Sequence, residues 1–176
     1  MTGLLTRSAT VEVIPGVLVR DVRPGDGDAV RDFLAGLSLD SAYRRFFTGI
    51  GSPPTAALVL RLVDAEQGRR AVVLAVAGDE VVGLADTTVV DGGRAVELGV
   101  VVADHWQRRG LGWPLCAAAL LPALARGVPV LRAHTLPDNA RVAKMLRRHW
   151  PDGAPRLDDG TLVWELPLRA ANVLGT

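Results

Sequence analysis

The sequence predicts an α+β domain, and three observations predict it. Three apolar runs follow one another through residues 71–103 with glycine-bearing turns between them. The pattern changes at Gly110 into a Leu- and Ala-rich segment of helical length, and another strand, a capped helix and a closing strand come after it. The first observation reads as an antiparallel meander. The others make one strand–helix–strand crossover from Val100 to His134. A mixed, mostly antiparallel sheet of six to seven strands flanked by helices is expected.

Each element has its own local reason. Residues 1–15 end at Pro15-Gly16 and read as an N-terminal arm; a domain over 16–170 and a tail over 171–176 complete the division. Val17-Leu-Val-Arg-Asp-Val22 has strand composition and stops at Pro24-Gly25-Asp26-Gly27. A helix follows, with Asp26 or Asp28 at its cap and Val30, Phe33, Leu34 and Leu37 on one face. Ser38 can cap a short helix running through Tyr43 to Phe47, because its hydroxyl accepts an N–H that the first turn leaves unpaired. Gly49, Gly51, Ser52, Pro53 and Pro54 break the chain before a helical stretch from Thr55 to Val63. Ala71–Ala77 and Glu80–Asp86 are strands joined at Gly78-Asp79, and Asp91-Gly92-Gly93 turns the chain into a third strand, Ala95–Ala103. Leu111–Ala125 reads as a helix that tolerates Pro114 only in its first turn and is strained by Pro122, with Gly127 past its end. Val128–His134 is the next strand, Asp138 the expected cap of a helix to about Arg148, and Thr161–Leu168 the closing strand, with a short partner strand before the Asp158-Asp159-Gly160 turn.

Composition bounds the function. The chain has 176 residues, 49% hydrophobic and 22% charged, which fits one globular domain. Such a chain buries roughly 70% of its unfolded surface, so it needs neither disulfides nor metals to fold. The single cysteine, Cys116, excludes an intrachain disulfide and a multi-cysteine zinc site, and His105, His134 and His149 lack the spacing of a helical metal pair. No metal is expected. A net charge of +1 gives no reason to expect a nucleic-acid partner. The longest uncharged apolar run, Leu111 to Ala125, is shorter than the ~20 residues of a bilayer span. The N-terminus lacks a basic start followed by an apolar core, so no membrane partner and a cytoplasmic location are expected.

Chemistry concentrates in Glu97-Leu-Gly-Val-Val-Val-Ala-Asp-His-Trp-Gln-Arg-Arg-Gly-Leu-Gly112. A strand ends near Ala103, and Gln107, Arg108, Arg109, Gly110, Leu111 and Gly112 lead into a helix start. Unpaired N–H groups there, with the helix dipole and two arginines, suit a diphosphate. A dinucleotide fingerprint would need glycine at Leu115, and a Walker loop would need Gly-Lys-Ser/Thr. Both are absent, and on local pattern alone such a loop is also compatible with a purely structural helix start. Period-two alternation puts Val96, Leu98, Val100 and Val102 on one face of the strand, and Ala95, Glu97, Gly99 and Val101 on the other. Glu97 is one of five glutamates and lies in an apolar strand. Desolvation beside a cofactor would raise its pKa and suit it to take a proton from an ammonium. The competing reading is a structural ion pair with Arg94 or Arg132.

Gln107-Arg-Arg-Gly-Leu-Gly112 resembles the Gln/Arg-x-x-Gly-x-Gly/Ala signature of the GCN5-related N-acetyltransferases (GNAT), and the element order from Val17 to Leu168 is similar to the whole family fold. Within the family, Arg23-Pro24, Leu37-Ser38 and Tyr43-Arg-Arg-Phe46 resemble the Arg-Pro…Leu-Ser…Tyr-x-Arg-Phe pattern of bacterial Pat-type protein acetyltransferases. Glu97-Leu-Gly-Val-Val-Val102 is similar to their strand bearing the proposed general base. The resemblance implies a GNAT-type domain with splayed central strands and acetyl-CoA as co-substrate. It implies a diphosphate on residues 107–112, pantetheine along Val100, Val101 and Val102, and a coenzyme contact at Asn139. Glu97 would be the base, and a strand N–H near Val100 would polarise the thioester carbonyl. A protein lysine is the implied acceptor; a small amine such as an antibiotic, polyamine or amino acid is the alternative, and a non-catalytic acyl-CoA-binding module a third. A homodimer is left open.

Two departures from the family pattern stand out. Many members carry a late tyrosine as general acid, whereas the only tyrosine here is Tyr43, so no acid is assigned. His149-Trp150-Pro151 stands where Gly-Phe is frequent. Tyr43, Arg44, Arg45 and Phe47 are candidates for an acceptor wall, and Arg147-Arg148 for a coenzyme phosphate, with a solvated helix face as their default. His105 reads as a solvated loop residue, His134 as a sheet-end or acceptor-lining residue, Cys116 as a packing thiol, and Trp106 and Trp113 as packing residues beside the loop.

Overall fold

The computed structural model describes residues 10–64 and 69–175. Among these, the strands are β1 (Val11–Ile14), β2 (Val17–Asp21), β3 (Arg70–Ala77), β4 (Glu80–Val90), β5 (Ala95–Val102), β6 (Val130–Thr135), β7 (Arg156–Asp158) and β8 (Thr161–Pro167). The helices are α1 (Gly27–Ala35), α2 (Leu39–Phe46), α3 (Ala56–Val63), α4 (Gly112–Ala125), α5 (Ala140–His149) and α6 (Ala170–Leu174). One sheet runs β1-β2-β3-β4-β5-β6-β8-β7, antiparallel except for β5 with β6. This is the expected α+β arrangement, with the parallel pair joined through α4.

The two faces of the sheet are covered differently. Helix α4 crosses one face, where Leu111, Leu115 and Ala119 pack against Val17, Val73, Ala75, Val82 and Ala85. Leu115 alone, fully buried, contributes about 2 kcal/mol of hydrophobic stabilisation. The approach is close enough to dictate Gly83: a Cβ there would lie 2.8 Å from Leu115 Cδ1. Pro114 falls in the first turn of α4, while Pro122 lies inside the helix and cannot donate to the Ala118 carbonyl. The other face carries α1 and α3, whose Val30, Phe33, Leu34, Val59 and Leu62 meet Val72, Leu74, Leu84 and Val101. A third core, around Trp164, Leu131, Leu146 and Trp150, ties α5 to β6 and β8.

Several local expectations need adjustment. Residues 11–14, within the stretch read as an arm, form β1 against β2, and part of the expected tail forms α6, whose Val173 is buried. Residues 1–9 of the arm lie outside the described residues. Ser38 caps α2 by accepting from Ser41 N–H, as expected. Asp26 stands at the start of α1 without capping it, because its carboxylate takes two bonds from Arg20, at 2.7 and 2.8 Å. Asp138 does not cap α5; Asn139 does, accepting from Val142 N–H, because Asp138 is drawn to Arg44 across the molecule.

Candidate active site

The site begins where β5 and β6 part. Pairing between them covers only Ala95 with Val130, Val96 with Leu131 and Glu97 with Arg132. On its other edge β5 stays paired to β4 over its whole length, from Ala95 with Val90 to Val102 with Gly83. Ala103 N–H donates to Val82 O at 2.9 Å. In an antiparallel pair the peptide groups of alternate residues point to the same side, so those of Val101 and Gly99 also face β4. Leu98, Val100 and Val102 therefore turn their peptide groups towards the gap. The Val102 carbonyl is taken by Gln107 Nε2 at 3.1 Å, which leaves Leu98 and Val100 as the open edge. Val101 points its side chain into the core beneath α1 and α3.

The gap widens into a cleft of about 1620 Å³, lined by β5, by Ala133, His134 and Thr135 of β6, and by Asp138 and Asn139 beyond them. That is more than the ~300–1,000 Å³ of an ordinary small-ligand pocket, so it has room for an extended cofactor and a second substrate. Asn139 is spent on its cap, at 3.4 Å from Val142 N, but still lines the cleft opposite β5.

The loop from β5 to α4 closes one end. Gln107 holds it: its N–H donates to Asp104 O at 3.3 Å, its side-chain amide also donates to Ser41 Oγ at 2.9 Å, and its Oε1 accepts from Arg141 at 2.7 Å. Gln107 therefore offers its fold rather than its own amide. Among the described residues, no hydrogen bond occupies the N–H groups of Arg108, Arg109, Gly110, Leu111, Gly112 and Trp113. Arg108 and Gly110 both have positive φ, +65° and +87°. A Cβ on Gly110 would touch nothing within 4 Å, so the glycine serves its left-handed backbone rather than a lack of room. Arg109 lies over the Trp106 ring at 4.6 Å. The sequence-level expectation of free amides at a helix start holds for 108–112 and not for residue 107.

Asp104 anchors α2 to this loop. It accepts from Ser38 N–H at 3.0 Å, from the Ser38 hydroxyl at 2.7 Å and from the Ser41 hydroxyl at 2.8 Å. Burial works to raise its pKa and is outweighed by these bonds, which hold it below the usual carboxylate range. Arg44, also on α2, reaches over to Asp138 with two bonds of 3.0 and 2.9 Å. Both residues line the cleft, so this bridge straps its two walls together.

Glu97 is the last β5 residue paired to β6, and it lines the cleft. Its side chain is 45% exposed, so the desolvated setting expected from the strand pattern is absent. Arg132 stands 3.9 Å away, held by Glu165 at 2.9 Å and Asp91 at 2.8 Å. One of the two ion-pair partners anticipated for Glu97 is thus beside it, as a loose contact.

On the same face lies a cluster that the sequence reading did not assemble. Asp86 of β4 is opposite Gly99 of β5, and its carboxylate meets Arg45 of α2 and, at 3.3 Å, Arg70 of β3. Arg45 lies directly on Gly99, so that any side chain there would collide with its guanidinium. An aspartate amid the apolar residues of β4 was the available signal.

The remaining candidates are placed as follows. Arg147 lies over the Trp164 ring at 5.3 Å, while Arg148 lines the cleft. His105 is exposed, 3.5 Å from Glu80. His149 stacks on Trp113 with ring centres 3.5 Å apart, and burial lowers its pKa against the contact to Asn172 O. Cys116 is buried, and desolvation pushes its thiol up to about 12, which suits packing and not nucleophilic attack. Among the described residues, no group of His, Cys, Asp and Glu is arranged to hold a metal, and no helix is long and apolar enough to cross a membrane.

Comparisons with known proteins agree with this geometry. The family model described as the acetyltransferase (GNAT) family matches residues 33–150. No curated protein sequence matches the chain. Among solved structures, the GNAT domain of S. lividans PAT is similar at 23% identity and a TM-score of 0.76, over 86% of this chain and 90% of that one. The PaiA N-acetyltransferase from Thermoplasma acidophilum, in complex with coenzyme A, is similar at 12% identity and a TM-score of 0.69, over 86% and 99%. A cAMP-binding acyltransferase from Mycobacterium smegmatis is similar at 23% identity and a TM-score of 0.60, over 91% of this chain but 46% of that one.

Proposed function

The chain belongs to the GNAT acetyltransferase family, and on that premise we propose that it is an acetyl-CoA-dependent N-acetyltransferase acting on a primary amine, with a protein lysine as the leading acceptor. The single observation that carries this reading is the parting of β5 and β6. It leaves an unpaired strand edge that runs into six unoccupied N–H groups at the start of α4.

The cleft fits the cofactor's chemistry. The free amides of 108–112, the α4 dipole and Arg108 and Arg109 would hold the diphosphate. The peptide groups of Leu98 and Val100 would take the pantetheine amides as a neighbouring strand would, and Asn139 lies on the facing wall. Bound there, acetyl-CoA supplies an acetyl thioester that the amine cleaves, the acetyl passing to nitrogen and CoA leaving as its thiol. The Val100 N–H is suited to polarise the thioester carbonyl. Glu97, open to solvent and at the point of parting, takes the proton from the acceptor ammonium, directly or through water. No side chain is assigned to protonate the leaving group.

Two things support a protein lysine: the resemblance to Pat-type enzymes and the breadth of the cleft. Arg45, Arg61 and Arg70 line it beside Asp86 and Glu97, a balance that disfavours a bare polycation as acceptor. The test is thermal unfolding with acetyl-CoA. Saturation to about a hundred times Kd should raise Tm by roughly 5–10 °C. An unmoved Tm removes the cofactor from the reading, and mass spectrometry of protein and small-amine acceptors then decides the acceptor class.

A further inference from the structure

Resting on the acetyltransferase reading for its acceptor cleft, a second recognition site lies inside that cleft. Arg45, Asp86 and Arg70 come from α2, β4 and β3, and their side chains are only 14%, 11% and 13% exposed. One carboxylate thus serves two guanidinium groups, and the cluster carries a net positive charge. The Nε of Arg45 and the Nε of Arg70 are both buried with no hydrogen-bond partner among the described residues. Guanidinium donors left unpaired away from water are costly, and the deficit is one of acceptors. Glu97, the nearest further carboxylate along the face, sits by Arg132 instead. All four residues line the same cleft, and Gly99 keeps the space beneath Arg45 empty of side chain.

We propose that the Arg45–Asp86–Arg70 cluster is a carboxylate-binding site of the acceptor subsite, so that the preferred amine carries a carboxylate close to it. A planar carboxylate matches the guanidinium fork and brings the missing negative charge. A bare diamine meets the surplus positive charge. The carboxylate has two sources, a free amino acid or an acidic residue next to a peptide lysine. Their shared chemistry is what the site reads.

The test is calorimetric titration of the whole chain with matched probes, with and without CoA. Free lysine is compared with cadaverine, and a blocked Glu-Lys-Glu peptide with Gln-Lys-Gln. In at least one pair the carboxylate-bearing member should bind about tenfold tighter or more. The pair that responds identifies the source. Arg70→Gln should reduce the ratio several-fold, and Arg70→Lys should keep part of it. If neither variant folds, the wild-type ratios decide alone. Equal affinities in both pairs, tighter binding of the carboxylate-free members, or binding of none of the four overturns the proposal. Failure of CoA to bind would count against the transferase reading instead, and the titrations without CoA still read the carboxylate preference.

Discussion

The two edges of β5 use the same backbone in opposite ways. Towards β4 it is paired from Ala95 to Val102, and it is rigid and saturated. Towards β6 the pairing ends at Glu97, and the rest of the edge is left for a ligand. Hydrogen-bonding capacity that one side spends on folding, the other keeps for recognition. The difference also separates two electrostatic settings. At the paired end, Arg132 gathers Glu165, Asp91 and, loosely, Glu97. At the open end, the loop offers N–H groups and arginines with no carboxylate bonded to them.

The comparison breaks most sharply at Glu97. Glu97→Gln should lower kcat by about 100-fold or more while CoA affinity, read by calorimetry, stays unchanged. Unchanged turnover would assign Glu97 to the paired end alone, as a structural partner of Arg132. Next in size, Gly110→Asp at the open end should weaken CoA binding roughly tenfold or more, through a carboxylate placed at the diphosphate loop and a non-glycine residue at φ +87°. Wild-type affinity would move the phosphate site elsewhere. Arg132→Met tests the pin at the point of parting. Stability should fall by about 1 kcal/mol, a Tm loss of some 2–4 °C, because a partly exposed ion-pair network is worth little more. The smallest effect is expected at His149, on the open end. Its folded pKa is depressed by burial. Its contribution to stability is therefore present above the ordinary histidine value of about 6.5 and is lost as pH falls from there through the folded value. His149→Phe, which can keep the stack on Trp113, should flatten the slope of urea-unfolding stability between about pH 7 and pH 5. A slope equal to that of the parent would clear His149.

Much of this was legible beforehand, and the reasons differ by element. Gly78-Asp79 and Asp91-Gly92-Gly93 are turn signals strong enough to punctuate the meander without tertiary help. The diphosphate loop announced itself through Gly110, because few residues accept its backbone conformation. Strands β1 and β7 were harder: four and three residues long, they are read only through the partners they pair with. Asn139 displaced Asp138 as the cap of α5 because a long-range partner, Arg44, competes for the aspartate, and local spacing carries no trace of that competition. The Arg45–Asp86 contact joins residues 41 apart. Glu97 was found by pattern, but its exposure depends on how far β6 diverges, which pairing energetics decide and alternation does not encode.

Cys116, locked in α4 with its thiol titrating near 12, has a practical consequence. It is the only cysteine in the chain. A chromogenic disulfide added to the native enzyme should therefore find no sulfhydryl except that of released coenzyme, and turnover can be followed by colour without a blank for the protein.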